Sequence, residues 1–219
     1  MLTSQRRDAM KSYAMKSLVF FSQKGGSGKT TLSVHTAVTA QESGEQVVII
    51  DTDPQQSAMT WAEARNSDIP PVASISAVEI DKVLKAARQE SFTLAVVDTA
   101  PHATPEASKV VQIADLIVIP VRPSAFDIAA AGNAVQIAHT SGVKTVFVLS
   151  ACPFRSPEIA ETRELLAGYR LPIAPVEITE RRSFARAIAS GRAVTEFESN
   201  GKAAEEIRAL WIWLKGQMV

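Results

Sequence analysis

Eight consecutive residues of this chain are suited to holding a polyphosphate: Lys24, Gly25, Gly26, Ser27, Gly28, Lys29, Thr30 and Thr31. Glycines let backbone N–H groups curl around phosphate oxygens where a Cβ would clash. Lys29 supplies a point charge to the β- and γ-phosphates, and the Thr30 hydroxyl can ligate Mg²⁺. The stretch departs from the common G-x-x-x-x-G-K-[ST] loop at its first glycine, where Ser22 or Gln23 stands, and carries an additional lysine, Lys24. A solvated loop lysine is the plain account of Lys24. A charge aimed at a phosphate is the functional one.

Three carboxylates stand where a phosphate site would use them. Asp51 and Asp53, in Asp51-Thr52-Asp53-Pro54-Gln55, follow the apolar run Gln46–Ile50, and Asp98 follows Phe92–Val97. Acidic residues at the carboxyl end of a buried strand sit at the ligand edge of an open parallel sheet. Asp98 matches the carboxylate that holds Mg²⁺ through water, a weak pattern alone and a strong one beside a phosphate loop. Asp51 is open to two readings, a place in the Mg²⁺ shell or a cap for the turn after its strand. His102 follows the Asp98 segment without a partner carboxylate visible in sequence, and is expected to be a surface or supporting residue. Cys152 is the single cysteine, which excludes an internal disulfide and a Cys-x-x-Cys site and points to a reducing compartment.

Such a loop works only between a strand and a helix, and both are present. Ser17–Ser22 is short and apolar, and Thr31–Glu42 carries Leu32, Ala37 and Val38 at helical spacing. Further on, helices are expected over Gln56–Arg65, Val78–Glu90 (built on Val78, Val83, Leu84 and Ala87), Pro105–Ile113, Phe126–His139, Pro157–Tyr169, Glu180–Ser190 and Lys202–Lys215. Strands are expected over Val72–Ile75, Leu116–Val121, Val143–Leu149 and Ile173–Ile178. Alternating strands and helices, with nearly continuous apolar strands, predict an α/β fold. Its form is a single-domain, doubly wound, mainly parallel sheet with helices on both faces. The length of 219 residues suits one large domain.

Lysine plus arginine equals aspartate plus glutamate at 23 each, so no global field points to nucleic acid, and any such contact must come from a local patch. No apolar run approaches the length of a membrane span. Residues 1–15 lack the apolar core of a secretory signal and are expected to be a flexible extension ahead of a domain over 16–219.

These residues resemble the ParA/MinD family of deviant-Walker ATPases, from roughly Met15 to the C-terminus. The stretch Lys24–Thr31 is the family's signature loop. Asp51–Gln55 is similar to its D-x-D-P-Q switch, and Val97–Pro101 to its Walker B and second switch. Ile178–Arg182, Ala189–Gly191 and Glu196 are similar to the C-terminal pattern of the partition ATPases. Within the family the likeness is to short ParA members that lack an N-terminal helix-turn-helix domain. Met15-Lys16 looks like a natural start for the domain.

The resemblance implies ATP/ADP and Mg²⁺ as cofactors and an ATP-sandwich homodimer in which each Lys24 reaches the other subunit's phosphates. Lys24, Lys29 and Asp53 then carry catalysis, with Asp53 orienting the attacking water. Gly25, Gly26, Ser27, Gly28, Thr30, Thr31 and Asp98 hold the nucleotide, and Thr30, Asp51 and Asp98 serve the metal. Asp127 lies where the family has a dimer-facing loop; it could meet the partner's Lys24 or cap a helix. Ser150 replaces the asparagine frequent after the corresponding strand, so adenine recognition there is in question.

The resemblance further implies non-specific DNA binding, a stimulating ParB-like partner protein, and a cytoplasmic, nucleoid-associated cycle that partitions or positions cargo. Candidate DNA contacts are Arg181, Arg182, Arg186, Arg192, Lys202 and Arg208, interleaved with glutamates. The alternative within the family is a MinD-like membrane-associated regulator. Its membrane helix would have to be the last one, where Ile207, Leu210, Trp211, Leu214 and Met218 form a stripe better suited to packing, with Trp213 off it. A metabolic NTPase of the amidotransferase or synthetase kind ranks last.

Overall fold

In the computed structural model, residues 15–101 and 105–218 are described; the expected N-terminal extension (save Met15) and His102 lie outside them. Six strands form one parallel sheet: β1 (Lys16–Phe20), β2 (Val47–Asp51), β3 (Val72–Ser74), β4 (Leu94–Asp98), β5 (Leu116–Val121) and β6 (Thr145–Leu149). Their order is β3-β2-β4-β1-β5-β6. From β1 the chain steps outward to β2 and β3 on one side and, after β4, to β5 and β6 on the other. The crevice at the carboxyl ends therefore opens beside β1.

Helices cover both faces, as the near-continuous apolar strands require. Leu18 and Phe20 of β1 point into one core with Leu32, Val38, Trp61, Ile207 and Leu210, and Val19 and Phe21 into the other with Ile80, Leu84, Val110 and Ala134. The first core is covered by α1 (Lys29–Glu42), α2 (Ser57–Glu63), α7 (Arg182–Ala189), α8 (Val194–Phe197) and α9 (Lys202–Gln217). The second lies under α3 (Ile80–Gln89), α4 (Pro105–Gln112) and α5 (Ala125–Ser141), and α6 (Glu158–Ala167) adds Leu166 to it. This is the doubly wound α/β domain that the sequence predicts.

Two expectations change, and one element is additional. Residues 173–178 run beside β6 without forming a ladder strand: single bridges join Phe147 to Ile173 and Cys152 to Thr179. Pro172 and Pro175 interrupt the segment and lack the N–H groups a ladder needs. The helix expected from Val78 begins with a 3-10 turn at Ala77–Glu79, so the buried face is Ile80, Leu84 and Ala87, and Val78 is exposed. The one-turn α8 was too short to leave a periodic signal.

The apolar stripe of α9 is buried throughout, at Ile207, Leu210, Trp211, Leu214 and Met218. It is core, not a free amphipathic face. Trp213 also packs partly against that core, and the exposed apolar residue of the helix is Ile212. Among the described residues no helix is long and apolar enough to cross a membrane.

Candidate nucleotide site

The phosphate loop hands over to α1 at Gly28, the N-cap, whose φ of 101° is a left-handed conformation that favours glycine. No side chain caps α1 and no acid sits in its first turn, so its leading N–H groups are left to an anion. The loop is braced from behind. Ser150 Oγ donates to Ser27 O at 2.7 Å, and Lys24 N donates to Ser22 Oγ at 3.3 Å. Lys29 is buried, with Nζ folded back to donate to Lys24 O at 3.2 Å. Burial lowers its pKa, and the nearby carboxylates of Asp98 and Asp53 act against that shift. An ammonium whose one hydrogen bond among the described residues is to a carbonyl keeps donors free for an anion.

Asp98 and Asp51 are register partners at the ends of β4 and β2, and both are fully buried. Burial pushes the Asp98 carboxyl up to about 7, against the pull of a hydrogen bond from the Thr30 hydroxyl. Ser33 Oγ approaches Oδ1 at 3.4 Å, and Oδ2 is buried with no hydrogen-bond partner. A buried carboxylate oxygen without a partner, beside a threonine hydroxyl, suits a hard divalent cation or its bound water.

Asp51 is different. Oδ1 accepts from Asp53 N at 3.0 Å, and Oδ2 accepts from Ala58 N at 3.0 Å and Met59 N at 3.2 Å. Its two oxygens hold the turn and the first turn of α2. These contacts support the capping reading of Asp51. Asp53 is half-buried, with Oδ1 accepting from Gln55 N at 2.9 Å, and borders an open cleft of about 620 Å³ with Thr52, Ser76 and Thr99.

Lys24 Nζ forms an ion pair with Asp127, a buried side chain in the first turn of α5 of the same chain. The cap of that helix is Ser124, whose Oγ accepts from Asp127 N at 3.2 Å. Asp127 is therefore not the cap, and its lysine partner is its own. Asp127 Oδ1 remains buried without a partner.

Residues 18–194 match the family described as the CobQ/CobB/MinD/ParA nucleotide binding domain. The chain belongs to that family. It is 32% identical over 190 residues to the maintenance of carboxysome distribution protein A of Gloeobacter kilaueensis, covering 85% of this chain and 86% of that one. It is 29% identical over 258 residues to protein IncC of Escherichia coli, covering 94% and 71%. Among solved structures, a McdA variant of Cyanothece in complex with ATP superposes with a TM-score of 0.74 over 92% of this chain and 96% of that one; at 18% identity this likeness speaks for the fold.

In this ParA/MinD-type chain the six basic residues of the C-terminal segment differ in their partners. Arg181 donates to Glu206 at 2.8 Å and lines a cavity of about 280 Å³ beside Gly28 and Thr31. Lys202 pairs with Glu205, and Arg208 donates to Ser199 O at 2.6 Å. Arg186 and Arg192 both lie over the Phe197 ring, at 5.4 and 4.8 Å, and Arg182 is exposed one turn before Arg186. The group that is brought together is Arg182, Arg186 and Arg192. Arg181 is set apart from them by its ion pair with Glu206.

Two supporting contacts escaped the sequence. Ser150 braces the phosphate loop, a role no spacing rule announces. Arg65, buried under Trp61, binds Glu196 through both terminal nitrogens at 2.7 and 2.5 Å and Gly191 O at 3.0 Å. A Cβ on Gly191, at φ +65°, would stand 2.3 Å from Ala64 O, so only glycine admits that contact.

Proposed function

We propose that this protein is a ParA-type ATPase that closes an ATP-sandwich dimer, binds DNA without sequence preference, and moves or segregates a cargo. A partner protein stimulates hydrolysis and resets the cycle. The observation that carries the reading is the two-lysine phosphate loop. Lys29 Nζ donates to the Lys24 carbonyl within the loop, while the Lys24 ammonium is paired with Asp127. Lys29 serves the phosphates at its own α1, and a second subunit's phosphates would give the second lysine a use.

Hydrolysis converts ATP and water to ADP and phosphate. Gly25 to Thr31 bind and orient the phosphates through backbone N–H groups, Lys29 neutralises charge at the γ end, and Asp53 orients the attacking water. Thr30 and, through water, Asp98 would hold Mg²⁺, which supplies charge neutralisation across the phosphate oxygens. On ATP binding Lys24 leaves Asp127 for the other subunit. The exposed set Arg182, Arg186 and Arg192 supplies the DNA contacts in the nucleoid. The buried stripe of α9 favours DNA over a lipid surface as the partner.

Light scattering on the gel-filtered protein with a slowly hydrolysed ATP analogue tests the dimer, and phosphate release tests turnover. Lys24→Ala is expected to stay monomeric and to lose stimulated hydrolysis while still binding nucleotide. Dimerisation and turnover at the unaltered protein's level in Lys24→Ala would overturn the mechanism. Random-sequence duplex and anionic liposomes, each with and without ATP, decide between the DNA and membrane readings.

A further inference from the structure

At the carboxyl edge of the sheet the ladder stops, and the candidate chemistry begins at its end or just past it. Asp51 and Asp98 are the last register pair of β2 and β4, and Phe20 and Asp98 that of β1 and β4. Two buried threonines carry the pairing one residue further. Thr52 gives both its N–H and its hydroxyl to Asp98 O, at 3.0 and 2.9 Å, and Thr99 Oγ1 donates to Phe20 O at 2.8 Å. The strand ends that lead to Asp53, Asp98 and the phosphate loop are thereby joined to one another.

Past Asp51, the turn that carries Asp53 is otherwise tied to itself and, through the Asp51 carboxylate, to α2. Asp53 O accepts from Gln56 N at 2.8 Å and its Oδ1 from Gln55 N, while Asp51 takes the N–H groups of Asp53, Ala58 and Met59. The turn also borders the open cleft. Among the described residues, Thr52 is what fixes it to β4. The Thr52 N–H already satisfies the Asp98 carbonyl, so the hydroxyl is not needed to save a buried acceptor. It adds a second point of attachment, which stops the turn from pivoting about the first.

We propose that Thr52 is a positioning residue for ATP hydrolysis, its hydroxyl setting where the Asp53 carboxylate stands relative to Asp98 and the phosphate loop. Asp53 matters to the rate if, as proposed above, it orients the attacking water, and the role of Thr52 rests on that reading. Groups that act on a reacting atom have to be held to within roughly half an ångström, and a carboxylate on a pivoting turn is not. Nucleotide binding draws instead on the loop and Lys29, which make no hydrogen bond to Thr52. The hydroxyl is therefore expected to show in turnover and not in affinity.

Thr52→Val keeps the branched shape and the N–H bond and removes the hydroxyl, while Thr52→Ser keeps the hydroxyl and removes the methyl. Phosphate release at saturating ATP with Mg²⁺ reads kcat, displacement of a fluorescent ADP analogue reads affinity, and light scattering with a slowly hydrolysed ATP analogue reads the dimer. Thr52→Val is expected to lower kcat about tenfold, with affinity and dimer formation within about twofold of the unaltered protein's. Thr52→Ser is expected to restore kcat to within about twofold. In an Asp53→Asn background Thr52→Val is expected to cost the residual turnover nothing further, because the group it positions is already disabled. Unaltered kcat in Thr52→Val beside an impaired Asp53→Asn overturns the proposal and leaves the proposed function standing. So does a loss of affinity or of the dimer that matches the loss of kcat, or the same loss of kcat in the Asp53→Asn background. Full turnover in Asp53→Asn overturns the role given to Asp53, and that of Thr52 with it. Nucleotide binding without any phosphate release by the unaltered protein overturns the reading as an ATPase as well.

Discussion

Two corners of the molecule treat charge in opposite ways. At the carboxyl edge of the sheet, Asp98 Oδ2 and Asp127 Oδ1 are buried without partners, and Lys29 is buried against a carbonyl. At the corner where α2 meets α7 and α8, the charges are matched. Arg65 grips Glu196 and Gly191 O, Glu196 accepts from Ala193 N at 2.8 Å, and Trp61 Nε1 donates to Arg192 O at 3.3 Å. A folded chain tolerates buried polar atoms without partners only where something else completes them or where strain is useful. The first corner leaves charged groups open to a ligand; at the second the ion pair is matched, and the polar atoms beside it without a partner, His35 Nε2 and Thr195 Oγ1, belong to uncharged side chains.

The sharpest way to break that contrast is to remove one partner from each corner and ask what fails. Arg65 has 6% of its side chain exposed, so Arg65→Ala leaves Glu196 and a carbonyl uncompensated. The expected loss is roughly 3 kcal/mol of stability, with nucleotide affinity at unchanged folded fraction unaffected. Urea denaturation alongside nucleotide titration checks both halves. A stable Arg65→Ala protein that cannot bind nucleotide would place Arg65 in the wrong corner. Lys29→Ala should do the reverse, since it removes a buried, poorly matched cation.

His35 sharpens the comparison from within the matched side. It is fully buried, its Nδ1 accepts from Val194 N at 3.1 Å, and its ring meets Phe184 edge-on at 5.1 Å. Burial lowers its pKa from 6.5 to about 3, with Glu196 acting the other way. Between those two values the unfolded chain binds a proton that the folded chain does not, so stability falls as pH drops through that window. From pH 7 to pH 5 the contribution is about 2 kcal/mol. His35→Asn keeps an acceptor for Val194 N–H and removes the titration. The difference in stability between the two proteins should therefore shift by that amount over the same range. Parallel pH–stability curves would show that His35 is not neutral and buried.

Legibility in the sequence follows the same division. The phosphate loop, the Asp98 strand end and the sheet order's general form were readable, because each is carried by a local run: glycines with lysine, apolar runs ending in acid, strands alternating with helices. Asp51 was ambiguous because its neighbours Ala58 and Met59, whose N–H groups it takes, lie across a turn that spacing alone does not close. Lys24 with Asp127, Arg65 with Glu196 and Arg181 with Glu206 join residues far apart in sequence. Charge type shows in a sequence, but whether a charge is already matched does not.

That last limit bears on the smallest effect expected here. The six basic residues at the C-terminal end look equivalent in sequence, yet Lys202 is held by Glu205 and Arg208 by a carbonyl, while Arg186 and Arg192 flank Phe197 on the exposed side. A cation contributes to phosphate binding by releasing counterions, and one already paired within the protein brings fewer to release. Arg186→Ala and Arg192→Ala should each lower the salt slope of DNA binding by about 1, uniformly across sequences. Lys202→Ala should leave the slope alone. Fluorescence anisotropy with a random duplex across a salt series reads the difference. Equal losses at Lys202 and Arg192 would mean that the ATP-bound dimer rebuilds this surface, so that matched and unmatched charge in the single chain no longer distinguishes fold from function there.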